Sequence, residues 1–171
     1  LIHEMGHAIH SYLSNMHQSG IYSDYVIFVA EVASTFNESL LTDYLLKNTV
    51  DKKQKAYIIN HFLEQFKGTL FRQTMFAEFE LFINEKCEAG ETLTADLLTD
   101  YYFQLNKKYY GDDIICDEEI SYEWERIPHF FMNYYVYQYA TGFSAALALS
   151  EKVLNEGINA VNSYLQCLLL Q

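Results

Sequence analysis

Phe28-Val29-Ala30-Glu31-Val32-Ala33-Ser34-Thr35-Phe36-Asn37-Glu38-Ser39-Leu40 sets Phe28, Val32, Phe36 and Leu40 four residues apart. That spacing draws one apolar stripe along a helix, whereas a half-buried strand would alternate with a period of two. It predicts a helix over about 25–48. Toward the N-terminus, Ile2, Met5, Ile9 and Leu13 recur at three and four, which predicts a helix over 1–17 with these four as its apolar stripe, broken at Ser19-Gly20. Toward the C-terminus the longest helical pattern runs over 51–88, through Ile58, Phe62, Phe66 and Leu70 to Phe76, Phe79, Phe82 and Ile83. Gly68 is the place for it to bend or split.

Thr92-Leu93-Thr94-Ala95 reads as a cap for a helix to about Tyr109, and Gly111-Asp112-Asp113 as a turn. Pro128 restarts the chain, and a helix through Leu154 closes at Asn155-Glu156-Gly157. Strand-like character is confined to Ile114-Ile115. The expected fold is all-α over 1–171, a single domain without repeat or linker. No initiator Met precedes the first amphipathic residues, and Cys167-Leu168-Leu169-Leu170-Gln171 brings no stop signal. Those ends suit a piece of a longer chain.

Within 171 residues, 11 Lys+Arg stand against 23 Asp+Glu, a formal charge of -12. Nucleic acid and anionic membrane surfaces are bound through Lys and Arg, so neither is expected as a partner. Cys87, Cys116 and Cys167 are odd in number, widely spaced and free of any CxxC pattern. They suggest neither a disulfide framework nor a cysteine metal site, and fit a reducing, cytoplasmic compartment. The 15 Tyr and 12 Phe supply large amphipathic core side chains, with some hydroxyls free to line a polar cleft.

His3-Glu4-Met5-Gly6-His7 is an H-E-x-x-H motif. On a helix the two histidines lie one above the other, so both imidazoles can face one metal ion. Glu4 sits about 100° round from His3, beside the metal rather than on it, where it can take a proton from a zinc-bound water. Gly6 has no side chain, so a neighbouring element can come close. A third ligand is expected, and Glu31 is the candidate: a carboxylate between Val29-Ala30 and Val32-Ala33 is costly unless paired or metal-bound. Glu38, two turns further along, is placed to orient a histidine ligand. His10 lacks the spacing of the third metzincin histidine, and His10 and His17 read as surface or helix-end residues.

The chain resembles the oligoendopeptidase F branch of the thimet oligopeptidase family. The matching stretches are His3–His10, Phe28–Glu38, Arg72-Gln-Thr-Met-Phe-Ala-Glu-Phe-Glu80, and Pro128-His129 on to Tyr135-Val-Tyr-Gln-Tyr-Ala-Thr-Gly142. The resemblance implies the helical catalytic core of a gluzincin-type zinc peptidase, a cytoplasmic endopeptidase acting on short peptides in a channel between two halves. One Zn2+ would be held by His3, His7 and Glu31, with Glu4 as general base and Glu38 behind a histidine ligand. His129 would bind substrate near the oxyanion, and a nearby tyrosine would donate to it. Tyr134, Tyr135, Tyr137 and Tyr139 all fall at that position; Tyr135 and Tyr139, four apart on an expected helix, are favoured. Family members are several times longer, with an upstream half and a C-terminal tail, which leaves open whether these residues alone turn over peptide. Two alternatives stand: a carboxypeptidase-like gluzincin, and a helical interaction module that keeps a metal site without catalysis. Oligomeric state has no signature in the sequence.

Overall fold

The computed structural model describes residues 1–169. Seven α-helices are present among them: α1 Ile2–His17, α2 Ile27–Asn48, α3 Lys52–Phe66, α4 Arg72–Glu88, α5 Ala95–Tyr110, α6 Tyr137–Glu156 and α7 Ile158–Leu169. No strand occurs among the described residues, and Ile114-Ile115 lies in irregular chain with Ile115 exposed. No described helix is long and apolar enough to cross a membrane.

The long pattern over 51–88 is divided as Gly68 suggests: a π-helical turn, Lys67–Phe71, separates α3 from α4. Thr94 caps α5, its Oγ1 accepting the Leu97 N–H at 3.2 Å, and Gly111 ends that helix at φ 76°. Two short 3-10 segments, Glu118–Arg126 and Pro128–Phe131, precede α6. The helix expected from Pro128 therefore begins later, at Tyr137, because Asn133 (φ 42°) and Tyr134 (φ 55°) take left-handed conformations that no helix propagates. Neither the longer 3-10 segment nor α7 has a counterpart in the periodicity reading.

The chain forms two compact units, one from Leu1–Phe66 together with the chain from Thr141 on, the other Lys67–Ala140. The first is built around Val32, Ala33 and Phe36 of α2, Ala146 of α6, and Tyr164 and Leu168 of α7. Phe36 stacks on Tyr164 with ring centroids 3.8 Å apart. In the second, Met75, Phe76 and Phe79 of α4 meet Tyr102 and Leu105 of α5, with Ile127 and Val136 closing the cluster.

α1 buries a different face from the one its apolar spacing predicts. Ile2, Met5 and Ile9 are exposed, Leu13 is partly buried, and the buried residues are Gly6, His10 and Ser14. Backbone proximity decides this. A Cβ on Gly6 would lie 2.5 Å from the carbonyl oxygen of Ala33, so α2 crosses α1 where only small residues fit. His10 is thus a core residue rather than a surface one. It is 0% exposed and stacks on Tyr25 at 3.7 Å. His17 is exposed at the helix end, its Nδ1 2.9 Å from the carbonyl of Leu13.

The second unit also holds a buried charge hub. Glu123 is 8% exposed; its carboxylate takes the Tyr102 hydroxyl at 2.8 Å, Arg72 at 2.5 Å, and Arg126. Burial alone would push its pKa up, but the hydrogen bonds from Tyr102 and Arg72 and the nearby guanidiniums bring it below the ordinary carboxylate value. A depressed folded pKa means the contribution is present above the unfolded pKa and lost as pH falls through the folded one. Glu123→Ala leaves these donors without their acceptor and should lower unfolding stability by about 3 kcal/mol, the low end for a broken buried pair because Arg126 stays solvated. Urea melts at neutral pH measure this, and repeating them below pH 4 should show the difference between variant and wild type shrinking.

Candidate metal centre

His3 and His7, one turn apart on α1, turn their imidazoles toward the segment of α2 that Gly6 lets in. Their Nε2 atoms are 3.2 Å apart, and Glu31 Oε2 lies 3.5 Å from that of His3 and 3.7 Å from that of His7. Ligand atoms about 2.0–2.1 Å from one zinc ion at tetrahedral angles stand roughly 3.3 Å from each other. Two neutral imidazole nitrogens and one carboxylate oxygen at these separations fit that ion in both spacing and chemistry. All three side chains are half-buried, which leaves a side of the cluster open for a further ligand.

Behind the trio, His3 Nδ1 is 3.3 Å from Glu38 Oε1. A proton on Nδ1, donated to that carboxylate, leaves the Nε2 lone pair facing the convergence point. Glu4 is exposed, on the turn between the histidines and outside the converging set. From α6, Gly142 completes the surround: a Cβ there would come within 3.4 Å of the Phe28 carbonyl and 3.8 Å of Glu31 Cβ.

Ser34 belongs to this centre and was not singled out by the sequence. It is fully buried, and its hydroxyl lies 2.9 Å from Glu31 Oε2 and 3.0 Å from the Glu31 carbonyl. Its spacing three residues after Glu31 on one helix was the available signal. A donor on that oxygen holds the carboxylate in one rotamer. Ser34→Ala should weaken zinc affinity about 10- to 100-fold, read by competition with a chromophoric chelator.

The other residues expected to act sit in the second unit and form a group of their own. His129 stacks parallel to Tyr135, centroids 5.4 Å apart and planes 3° off parallel. Tyr139 stands edge-on to both rings, and its hydroxyl is 3.1 Å from that of Tyr135. Tyr135 stands just before α6, its carbonyl accepting the Gln138 N–H, so the pair meets across the opening turn of that helix at the spacing expected of it. Tyr134 and Tyr137 are exposed. Glu80, also missed, accepts the Tyr134 backbone N–H and is 2% exposed. Burial pushes its carboxyl pKa up, with that N–H pulling the other way. The reasoning that marked Glu31, a carboxylate amid apolar helix neighbours, applies equally to Glu80 beside Phe79.

An all-helical chain that brings an H-E-x-x-H turn against a glutamate of the next helix presents the donor set of a metallopeptidase. The chain belongs to peptidase family M3, whose pattern matches residues 1–170. It is 60% identical over 168 residues to oligopeptidase PepF of Bacillus subtilis, and 49% identical over 168 residues to the chromosomal oligoendopeptidase F of Lactococcus lactis. Those alignments take 98% of this chain but 25% and 28% of the relatives. A crystal structure of oligoendopeptidase-F from Enterococcus faecium superposes with a TM-score of 0.86 at 51% identity, over 98% of this chain and 30% of that one. The chain thus spans between a quarter and a third of the length of the proteins it resembles.

Proposed function

We propose that the chain carries the metal-binding and proton-transfer residues of a zinc-dependent oligoendopeptidase that hydrolyses internal bonds of short peptides. The observation that carries this reading is the convergence of His3, His7 and Glu31 at 3.2, 3.5 and 3.7 Å, in a chain of peptidase family M3. His3, His7 and Glu31 would hold a Zn2+ ion, which would supply Lewis acidity toward a water and a peptide carbonyl.

Glu4 is the general base in this reading. It accepts the proton of the attacking water and passes it to the departing amine. Glu38 keeps His3 in the tautomer whose Nε2 is free to ligate, and Ser34 fixes the Glu31 oxygen. His129 binds substrate near the oxygen on which negative charge develops, and a tyrosine of its group, Tyr135 or Tyr139, donates to that oxygen. The formal charge of -12 argues against nucleic acid or an anionic membrane as partners. The three cysteines are free thiols, which suits the cytoplasm.

An internally quenched peptide blocked at both ends tests the reading, with an enzyme of the relatives' full length carrying these residues. Internal cleavage that a chelator abolishes and zinc restores is the expected result. Release of single residues from an unblocked C-terminus, with the blocked peptide intact, would favour a carboxypeptidase instead.

A further inference from the structure

Glu80 lies on α4 among side chains that belong to the core: Met75 and Phe79 are 0% exposed and Phe76 is 5%. A carboxylate in such surroundings is expensive unless its oxygens are matched. Only one is. Oε1 accepts the Tyr134 N–H, while Oε2 is buried without a hydrogen-bond partner. An apolar residue of similar volume would avoid that penalty, so the contact to Tyr134 is what the carboxylate provides.

The chain around Tyr134 shows what that contact does. Phe130 packs between Phe76 and Phe79, with ring centroids 5.5 and 5.2 Å away, and Val136 is wholly buried in the same cluster. Between these anchors the backbone turns through Asn133 and Tyr134 in succession, at φ 42° and 55°. Left-handed conformations are uncommon outside glycine, rarer still for a bulky residue such as Tyr134, and persist only where neighbours enforce them. A side-chain acceptor on the N–H of the second residue enforces this one. Tyr135 follows at once, and the turn, lying between His129 and Tyr135 in the chain, decides whether the two rings lie parallel.

We propose that Glu80 is a positioning residue for the His129–Tyr135–Tyr139 group: its carboxylate holds the left-handed Asn133-Tyr134 turn that leads the chain from His129 to Tyr135 and so lays the Tyr135 ring along His129 with its hydroxyl beside that of Tyr139. The catalytic side of this inference rests on the peptidase reading; the structural side does not. Glu80→Leu fills the volume without an acceptor, Glu80→Gln keeps an acceptor at the same reach, and Glu80→Asp keeps the charge but withdraws it by one methylene.

Ring-labelled tyrosine NMR on this chain reads the geometry directly. Glu80→Leu and Glu80→Asp should move the Tyr135 and Tyr139 resonances, Glu80→Gln should leave them near wild type, and Tyr164, on α7, should stay in place throughout. If Glu80→Leu fails to fold, Glu80→Asp against Glu80→Gln carries the comparison. Unmoved Tyr135 and Tyr139 signals in Glu80→Asp overturn the proposal.

In the full-length enzyme, Glu80→Leu or Glu80→Asp should lower kcat at least about tenfold with KM within about twofold, and Glu80→Gln should recover most of the loss. In a Tyr135→Phe, Tyr139→Phe background the same substitutions should add little, because Glu80 acts through those hydroxyls. An undiminished loss in that background, or a loss that falls on KM, overturns the proposal. Absence of peptide hydrolysis in the wild-type enzyme would remove the peptidase reading and leave the NMR comparison to decide the role of Glu80.

Discussion

Glu4→Gln should leave one zinc per chain in place while peptide hydrolysis falls by about 10²- to 10⁴-fold, the usual contribution of a positioned acid–base group. The substitution keeps size and hydrogen-bonding capacity and removes only the ability to take up a proton. Its selectivity follows from the geometry: Glu4 is exposed on the turn between His3 and His7 and is not among the converging donor atoms. Metal analysis and turnover of a quenched peptide, measured on the same preparation of the full-length enzyme, give both readouts. Loss of zinc together with activity would make Glu4 a ligand or a structural support. An undiminished rate would place the base elsewhere.

Glu31→Ala should have the opposite profile, with zinc itself lost. Without Glu31, two imidazoles 3.2 Å apart on one helix remain, and two ligands rarely hold zinc against water and competing chelators. Wild-type chain should gain thermal stability on adding zinc, because an ion that binds only the folded state raises its stability by mass action. Glu31→Ala should melt at one temperature with or without the ion. His3→Ala and His7→Ala should behave likewise. Stoichiometric zinc retained by Glu31→Ala would remove that residue from the ligand set.

Much of this architecture can be read from residue spacing, and the parts that cannot share a cause. The four-residue period of α2, the break at Gly68 and the Thr94 cap are local properties, set by a few neighbouring residues. The convergence of His3, His7 and Glu31 was also legible, because helix geometry fixes the first two and the burial cost of a carboxylate marks the third. What failed depended on contacts distant in sequence. The apolar stripe of α1 faces outward because α2 approaches along its small residues, which also draws His10 into the core. The helix expected from Pro128 is delayed by a turn that Glu80, far back along the chain, holds in place. Tyr135 and Tyr139 meet across the first turn of α6, at the four-residue spacing expected of them, but the left-handed turn just before Tyr135 had no sequence signal.

Gly6 changes what the five-residue motif means. Written H-E-x-x-H, the pattern treats its third and fourth letters as interchangeable blanks. In this chain the two blanks are unequal: Met5 is exposed, while the Cα of Gly6 is pressed against the backbone of Ala33 and Ser34. Any side chain at the fourth letter would wedge α1 from α2 and carry Glu31 out of reach of both imidazoles, with every metal-binding letter still spelled correctly. The vocabulary permitted at that blank is therefore written by the second helix, and a sequence can match the motif perfectly yet be unable to close the site.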